Sequence, residues 1–322
     1  MTGQTLQLDP EFVVAFQAMA GRSTPPPIGD ITTRRGNVNA GLPQLVHQFI
    51  SPEHIEVERI DIPGPARPLR IQRFYCRSDD TNLSPAGNPT ILHFHGGGYI
   101  TMNVDMWAPY LKDQVARTSI QIFSVDYQLA PEAIFPAALE EAYSALLWLH
   151  KHAKQYNIDP ARIAVQGESA GGGLAAALAL LSRDRSLFPP LSKQILIYPM
   201  IDDRNLLPNN LVEPLATWRT ADNITAWTAY LGQKPGSPGV PYLAAPARAL
   251  DLTGLPPTYL DVGGLDIFRD EILAYASRLA AANIAVEFHL YPGVPHGFEL
   301  IAPTTTVARR AVDNRFRAQM TL

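Results

Sequence analysis

The chain predicts an α/β fold, a mainly parallel sheet covered by helices on both faces. Three observations carry this. Short apolar, β-branched runs recur from about residue 55 onward, helical stretches lie between most of them, and glycine-rich turns follow several of the strands directly. In such a sheet, sites gather at the carboxyl ends of the strands.

At the N-terminus, Asp9-Pro10-Glu11 reads as a helix cap with proline at the first helical position, leading into Phe12, Val13, Phe16 and Met19 at helical spacing. Ser23 to Asp30, "STPPPIGD", ends any helix there, and a polar segment with Arg34 and Arg35 follows. The strand candidates are then Arg70 to Cys76, Thr90 to Phe94, Ile120 to Val125, Arg162 to Val165, Gln194 to Tyr198, Thr258 to Val262 and Val286 to Tyr291. Helical stretches include Phe135 to His152, Ala170 to Ser182 and Phe268 to Ala282. Two regions break the alternation, the first fifty residues and Met200 to about Val240, which is rich in Pro, Asn, Trp and Gly. A long irregular stretch inside a compact domain is usually a functional loop or lid. Residues 1–50 and 200–240 are therefore expected to form a cap over a core made of 51–199 and 241–322. The pocket beneath it is expected to be lined by Phe12, Phe16, Leu215 and Trp218.

Composition excludes several classes. With 46% hydrophobic and 17% charged residues, the 322-residue chain can bury a large core, and its net charge of -4 offers nucleic acid or an anionic membrane no electrostatic attraction. Cys76 is the single cysteine, so no intrachain disulfide and no thiolate metal cluster can form. It reads as a small core residue. No basic segment followed by an apolar one opens the chain, and no apolar run reaches about 18 residues. The expectation is a soluble, cytoplasmic protein.

Chemistry concentrates in three places. Gly167-Glu168-Ser169-Ala170-Gly171 fits G-x-S-x-G, a nucleophile elbow in which a serine sits on a strained turn between strand and helix. Chance alone would produce this pattern in roughly one chain in ten of this length. The strand-like "RIAVQG" before it and the helix-like "LAAALALL" after it supply the context the motif requires. Second, "HFHGGGY", His93 to Tyr99, follows an apolar strand, and its glycines could converge backbone N–H groups on one oxyanion. A glycine-rich turn with no ligand is the plainer alternative. His93-x-His95 also resembles a metal pair, but no further ligands stand at familiar spacing, so no metal is expected. Third, His296 in "VPHGF" and Asp266 after Gly263-Gly264 both lie just beyond strand ends, in the chain order serine, acid, histidine. Asp270 and Glu271 fall in a first helical turn, where acids meet the positive dipole end without chemistry.

"HGGGY", "DYQLAPE", "GESAGGGLAAALAL", "LIYPMID", "DVGGLDIFRDE" and "PHGF" together resemble the hormone-sensitive-lipase-like (bacterial family IV) esterases over about residues 85–300. The resemblance implies an α/β-hydrolase fold with a mainly parallel eight-stranded sheet flanked by helices, and a helical cap. It implies Ser169 as nucleophile, Asp266 as acid and His296 as base, with an oxyanion hole from the N–H groups of Gly97, Gly98 and Ala170. His95 and Asp126 are given supporting roles around the glycine loop, and Glu168 a supporting role beside the nucleophile. Glu168 stands where the family more often has Asp, Gln128 where Arg is common, and Asp266-Ile267-Phe268 where it usually has Asp-Pro-Leu. The implied activity is hydrolysis of short- to medium-chain acyl esters without cofactor, with pairing through the last strand as a homodimer. Amides, lactones or thioesters would use the same chemistry. A non-catalytic small-molecule receptor is the rival of another class, reached in relatives of this fold by loss of the histidine that His296 retains here.

Overall fold

The computed structural model describes residues 6–19, 26–46, 48–49, 52–77 and 86–322. Its strands are β1 (Ile55–Ile62), β2 (Leu69–Cys76), β3 (Asn88–Phe94), β4 (Gln121–Val125), β5 (Ile158–Glu168), β6 (Lys193–Ile197), β7 (Thr258–Gly263) and β8 (Val286–Tyr291). They form one sheet in the order β1-β2-β4-β3-β5-β6-β7-β8. The two pairings at the β1 edge are antiparallel, and those from β4 through to β8 are parallel.

The sheet is covered on both faces, and the alternation of side chains shows it. Ile91, Ile122 and Ala164 point into one apolar cluster with Trp107, Tyr110 and Leu111 of α3 (Val104–Thr118). Their neighbours Leu92, Phe123 and Val165 point into another, with Leu139 and Leu146 of α4 (Ala137–Lys151) and Leu178 of α5 (Ala170–Asp184). Strands buried on both faces read as continuous apolar runs, which is why the central ones were visible in the sequence.

Strand order reverses at β3. The chain leaves it for β4 on one side and returns as β5 on the other, so Phe94 and Gly167 become neighbours where the crossovers diverge. Such a point opens a crevice at the carboxyl ends of the strands, and the two glycine-rich motifs follow directly from β3 and β5.

Several elements differ from the expectation. Seven strand candidates were placed, the first at Arg70, and the eighth strand the resemblance implies is β1, at the sheet edge. Its sequence alternates Ile55, Val57 and Ile60 with charged residues, and it pairs along its whole length with β2. Helix α1 (Pro10–Met19) starts as expected, with the Asp9 carboxylate accepting from the Glu11 N–H at 2.9 Å. Of the expected break at Ser23 to Asp30, residues 23–25 lie outside the described residues. The polar segment after it is helix α2 (Ile31–Val46), held by its arginines. Arg35 forks onto Glu132 at 2.7 and 2.9 Å and donates to the Ile100 and Ala130 carbonyls. Arg34, 3% exposed, donates to Asp222 at 2.8 Å.

Asp222 belongs to α6 (Thr220–Leu231) in the second irregular region, so the ion pair joins the two excursions. A hydrogen bond from the Gly29 N–H to Thr225, 3.0 Å, reinforces the junction. The second excursion is closed at its base by the fully buried Asp203, which pairs with Arg248 at 2.5 and 2.9 Å and accepts from the Gly236 N–H at 2.7 Å. No described helix is long and apolar enough to cross a membrane.

Candidate active site

Ser169 lies between β5 and α5 with φ 56° and ψ -118°, a left-handed backbone that costs a non-glycine residue energy and is held by its surroundings. Those surroundings leave no room for side chains. A Cβ on Gly167 would come within 2.3 Å of the Gly171 carbonyl group, and one on Gly171 within 2.0 Å of the Phe94 oxygen. The turn is pinned by the Ser169 N–H donating to the Ile197 carbonyl at 2.9 Å and by the Met200 N–H donating to the Ser169 carbonyl at 2.9 Å.

Two loops from the far side of the sheet meet this serine. His296 follows β8, and its Nε2 lies 2.9 Å from Ser169 Oγ. Its Nδ1 lies 2.6 Å from Oδ2 of Asp266, in the loop after β7. A carboxylate only accepts, so Nδ1 carries the proton and Nε2 is free to accept the serine O–H. Asp266 is 1% exposed and its other oxygen accepts from the Phe268 N–H at 2.9 Å, which fixes the carboxylate. The imidazole is also flanked by the rings of Tyr198 and Phe268, with centroids 4.5 and 5.2 Å away. A serine, imidazole and carboxylate in this series can perform nucleophilic catalysis through a covalent intermediate.

The glycine loop after β3 turns by means of Gly97 (φ 118°) and Gly98 (φ 60°), conformations that L side chains rarely adopt. Gly96 comes against the elbow, where a Cβ would lie 3.5 Å from the Ser169 Cβ. The N–H groups of Gly97, Gly98 and Ala170 donate to no acceptor among the described residues. Gly97 and Gly98 line the same cavity as Ser169 and His296.

With this geometry in view, comparisons with known proteins agree on one family. The family model described as "alpha/beta hydrolase fold" matches residues 91–300. The chain belongs to the α/β-hydrolase family. Within it, the chain falls among the hormone-sensitive-lipase-like members. It is 35% identical to Esterase LipI of Mycobacterium tuberculosis over 283 residues, 86% of this chain and 85% of that protein. Among solved structures it resembles "Bacterial Heroin Esterase", at 33% identity, TM-score 0.87 and 98% coverage of both chains. It also resembles the hyperthermophilic esterase from the archaeon Pyrobaculum calidifontis, at 29% identity and TM-score 0.86, covering 98% of this chain and 99% of that one.

In this α/β-hydrolase the cavity over Ser169 holds about 770 Å³. Phe16, Val38, Met102, Trp107, Trp218 and Leu300 supply apolar wall. Phe16 and Trp218 were expected there. Phe12 and Leu215 were too, but Phe12 is fully buried against Tyr291, Val294 and Phe298, and Leu215 is not part of the wall. Phe12 and Phe16 are four apart on one helical face, so helix periodicity could not say which of them reaches the cavity.

Glu168 points away from the Asp266 series. Its Oε2 accepts from His93 Nε2 at 2.8 Å, and His93 Nδ1 in turn accepts from the Ser124 hydroxyl at 2.8 Å. All three side chains are fully buried, and Glu168 Oε1 has no hydrogen-bond partner among the described residues. His95 makes a separate arrangement, stacked on Tyr127 with its Nδ1 donating to the Gly96 carbonyl at 2.7 Å. Burial pushes its pKa down to about 4, so it is neutral at pH 7 and braces the glycine loop as a donor. Asp126 was expected to support the same loop, but its partners lie elsewhere: its N–H donates to the Arg70 carbonyl of β2 at 3.0 Å. Its carboxyl accepts from the Val104 N–H at the start of α3, which opposes the upward pull of its burial. His93 and His95 thus serve different partners, and no group of three or more His, Cys, Asp or Glu among the described residues could hold a metal ion.

Other acids and histidines take structural partners. Asp261 pairs with the buried Arg315 at 2.6 and 3.1 Å. Glu271 accepts from the N–H groups of Ile201 and Asp202 and from Asn205, tying down the start of the second excursion in a setting whose burial raises its pKa well above the ordinary range. A place in the first turn of α7 (Arg269–Ala281) hinted at dipole stabilisation and concealed this contact. His152 bonds the Trp148 carbonyl, His289 bonds Glu287, and His47 lies outside the described residues.

Proposed function

We propose that this chain is a serine carboxylesterase that hydrolyses short- to medium-chain acyl esters through an acyl-enzyme, with Ser169 as nucleophile, His296 as base and Asp266 as orienting acid. The continuous series from Ser169 Oγ to His296 at 2.9 Å and on to Asp266 at 2.6 Å carries the reading. Ser169 attacks the ester carbonyl carbon while its proton passes to His296 Nε2, and the buried Asp266 stabilises the resulting imidazolium. The carbonyl oxygen becomes an oxyanion received by the N–H groups of Gly97, Gly98 and Ala170. Collapse expels the alcohol, which takes the proton from His296. Water then enters, loses a proton to the same nitrogen and attacks the acyl carbon; collapse releases the acid as His296 Nε2 returns that proton to Ser169 Oγ. Relatives named as esterases support the reaction class.

A cavity of about 770 Å³ with largely apolar walls favours short and medium acyl chains. Residues 1–50 and 200–240 act as the cap over the core of 51–199 and 241–322, a division supported by the Arg34–Asp222 junction and by cavity residues drawn from both regions. Pairing at β8, the edge strand, would give a homodimer. The lone buried Cys76 fits a cytoplasmic location. Substitution Ser169→Ala should abolish turnover of p-nitrophenyl acetate and butyrate while thermal unfolding stays cooperative; a folded Ser169→Ala protein with undiminished turnover contradicts the proposal.

A further inference from the structure

The loop that carries His296 is held from several directions, through its carbonyl groups. The Tyr291 carbonyl accepts from the Gly264 N–H at 2.7 Å and the Val294 carbonyl from the Leu265 N–H at 3.0 Å, both from the Asp266 loop. The Gly293 carbonyl accepts from the Asp9 N–H at 2.8 Å, at the start of α1. The carbonyl of His296 itself is taken by a side chain, the Thr217 hydroxyl, at 2.6 Å. Thr217 belongs to the second excursion, 79 residues earlier in the chain.

The next residue of that excursion reaches the other half of the site. The Trp218 ring lies on Gly98 so closely that a Cβ there would come within 2.7 Å of its Cη2. One residue further, the Arg219 N–H donates to Asp222, whose carboxylate also holds Arg34 of α2. Thr217 and Trp218 therefore bridge the histidine loop and the glycine loop, and their own position depends on how α2 and α6 meet.

We propose that Thr217 is a positioning residue for the hydrolysis assigned above, and this inference rests on that assignment. Its hydroxyl fixes the peptide plane from which the His296 side chain departs. Gly297, next in the chain, has a left-handed backbone (φ 66°), and the short helix α8 (Phe298–Ile301) begins only after it. The first α8 N–H groups, of Leu300 and Ile301, bond the Gly297 carbonyl at 3.1 and 3.3 Å, whereas the carbonyl of the His296 peptide is taken by Thr217. Rotation of that peptide swings the imidazole relative to both Ser169 and Asp266. A misplacement of about 1 Å costs on the order of a hundredfold in rate. Because the tie originates in the excursion, the base is held in register only when that segment is seated, which links closure over the cavity to the alignment of the site.

The test compares wild type, Thr217→Val and Thr217→Ser with p-nitrophenyl butyrate, with Ser169→Ala as control and thermal unfolding to verify folding. Thr217→Val should lower kcat about tenfold or more with KM within about twofold. Thr217→Ser, which keeps the hydroxyl, should restore kcat to within about twofold of wild type. Thr217→Ala provides the same loss without added bulk, should the valine variant fail to fold. A hydroxyl-free variant that retains full kcat overturns the proposal, and so does a serine variant as slow as the alanine one, since packing would then explain the loss. Turnover that persists in Ser169→Ala would instead overturn the functional assignment, so the two failures are distinguishable.

Discussion

Glu168 and Asp266 are both buried carboxylates near Ser169, and their neighbours give them different work. Asp266 faces His296, so Asp266→Asn should leave the fold intact yet lower kcat by about 10³–10⁴-fold, because the amide no longer enforces the tautomer in which Nε2 accepts. Steady-state kinetics checked against circular dichroism would show it. Glu168 faces His93 and is expected to act on stability first. Glu168→Ala removes the acceptor of a buried imidazole N–H and should cost about 1–3 kcal/mol in urea unfolding, whereas Glu168→Gln retains an acceptor oxygen and should cost less. Equal losses in the two variants would contradict the His93 pairing. The serine, acid and histidine were legible in the sequence because each follows a strand, in a fixed chain order. The role of Glu168 was not, because a residue beside the elbow gives no sign of which way its side chain turns. Thr217 was hidden for a similar reason, since a lone threonine in an irregular stretch carries no pattern.

At the level of elements, the attachments of the two excursions are polar and can be tested singly. Asp203 is fully buried and balances Arg248, so Asp203→Ala strands a largely buried guanidinium and should destabilise the protein by about 3–5 kcal/mol in denaturant unfolding. Helix α2 is fastened to the core by Arg35 and Glu132, and the arginine holds the Glu132 carboxyl down to about 2 from an ordinary 4.5. A depressed carboxyl pKa contributes stability that is complete above about 4.5 and disappears as pH falls toward 2. The pair is largely exposed, so solvent screening keeps the effect small. The stability difference between wild type and Glu132→Gln should thus be constant from pH 5 to 8 and shrink below about 4.5; a difference that grows on acidification would have the wrong sign. These elements were also the hardest to foresee. Helix α2 contains Gly36, Gly41 and Pro43, and α3 contains Pro109, so propensity argued against helices that tertiary contacts nevertheless stabilise. Helix α9 (Thr306–Met320) buries Arg315, a residue type that does not read as core.

For the molecule as a whole, the legible part was the doubly covered sheet, since central strands buried on both faces must be apolar runs, and α5, buried on every side, is apolar for the same reason. Its margins were less so: β1 has one partner strand and mixes charges into its sequence. The opposite edge, β8, leaves Leu290 43% exposed, and a homodimer paired there should dissociate on Leu290→Lys. Light scattering that finds the wild type monomeric at working concentration would remove this part of the account. The central claim is that the fold brings three distant loops together to activate one serine. Its most direct measurement is labelling with a fluorophosphonate followed by peptide mass spectrometry. The account predicts a single stoichiometric adduct on Ser169, complete loss of esterase activity in step with labelling, and at least a hundredfold slower labelling in His296→Ala. Stoichiometric labelling at another residue, or full activity in protein labelled at Ser169, would contradict it.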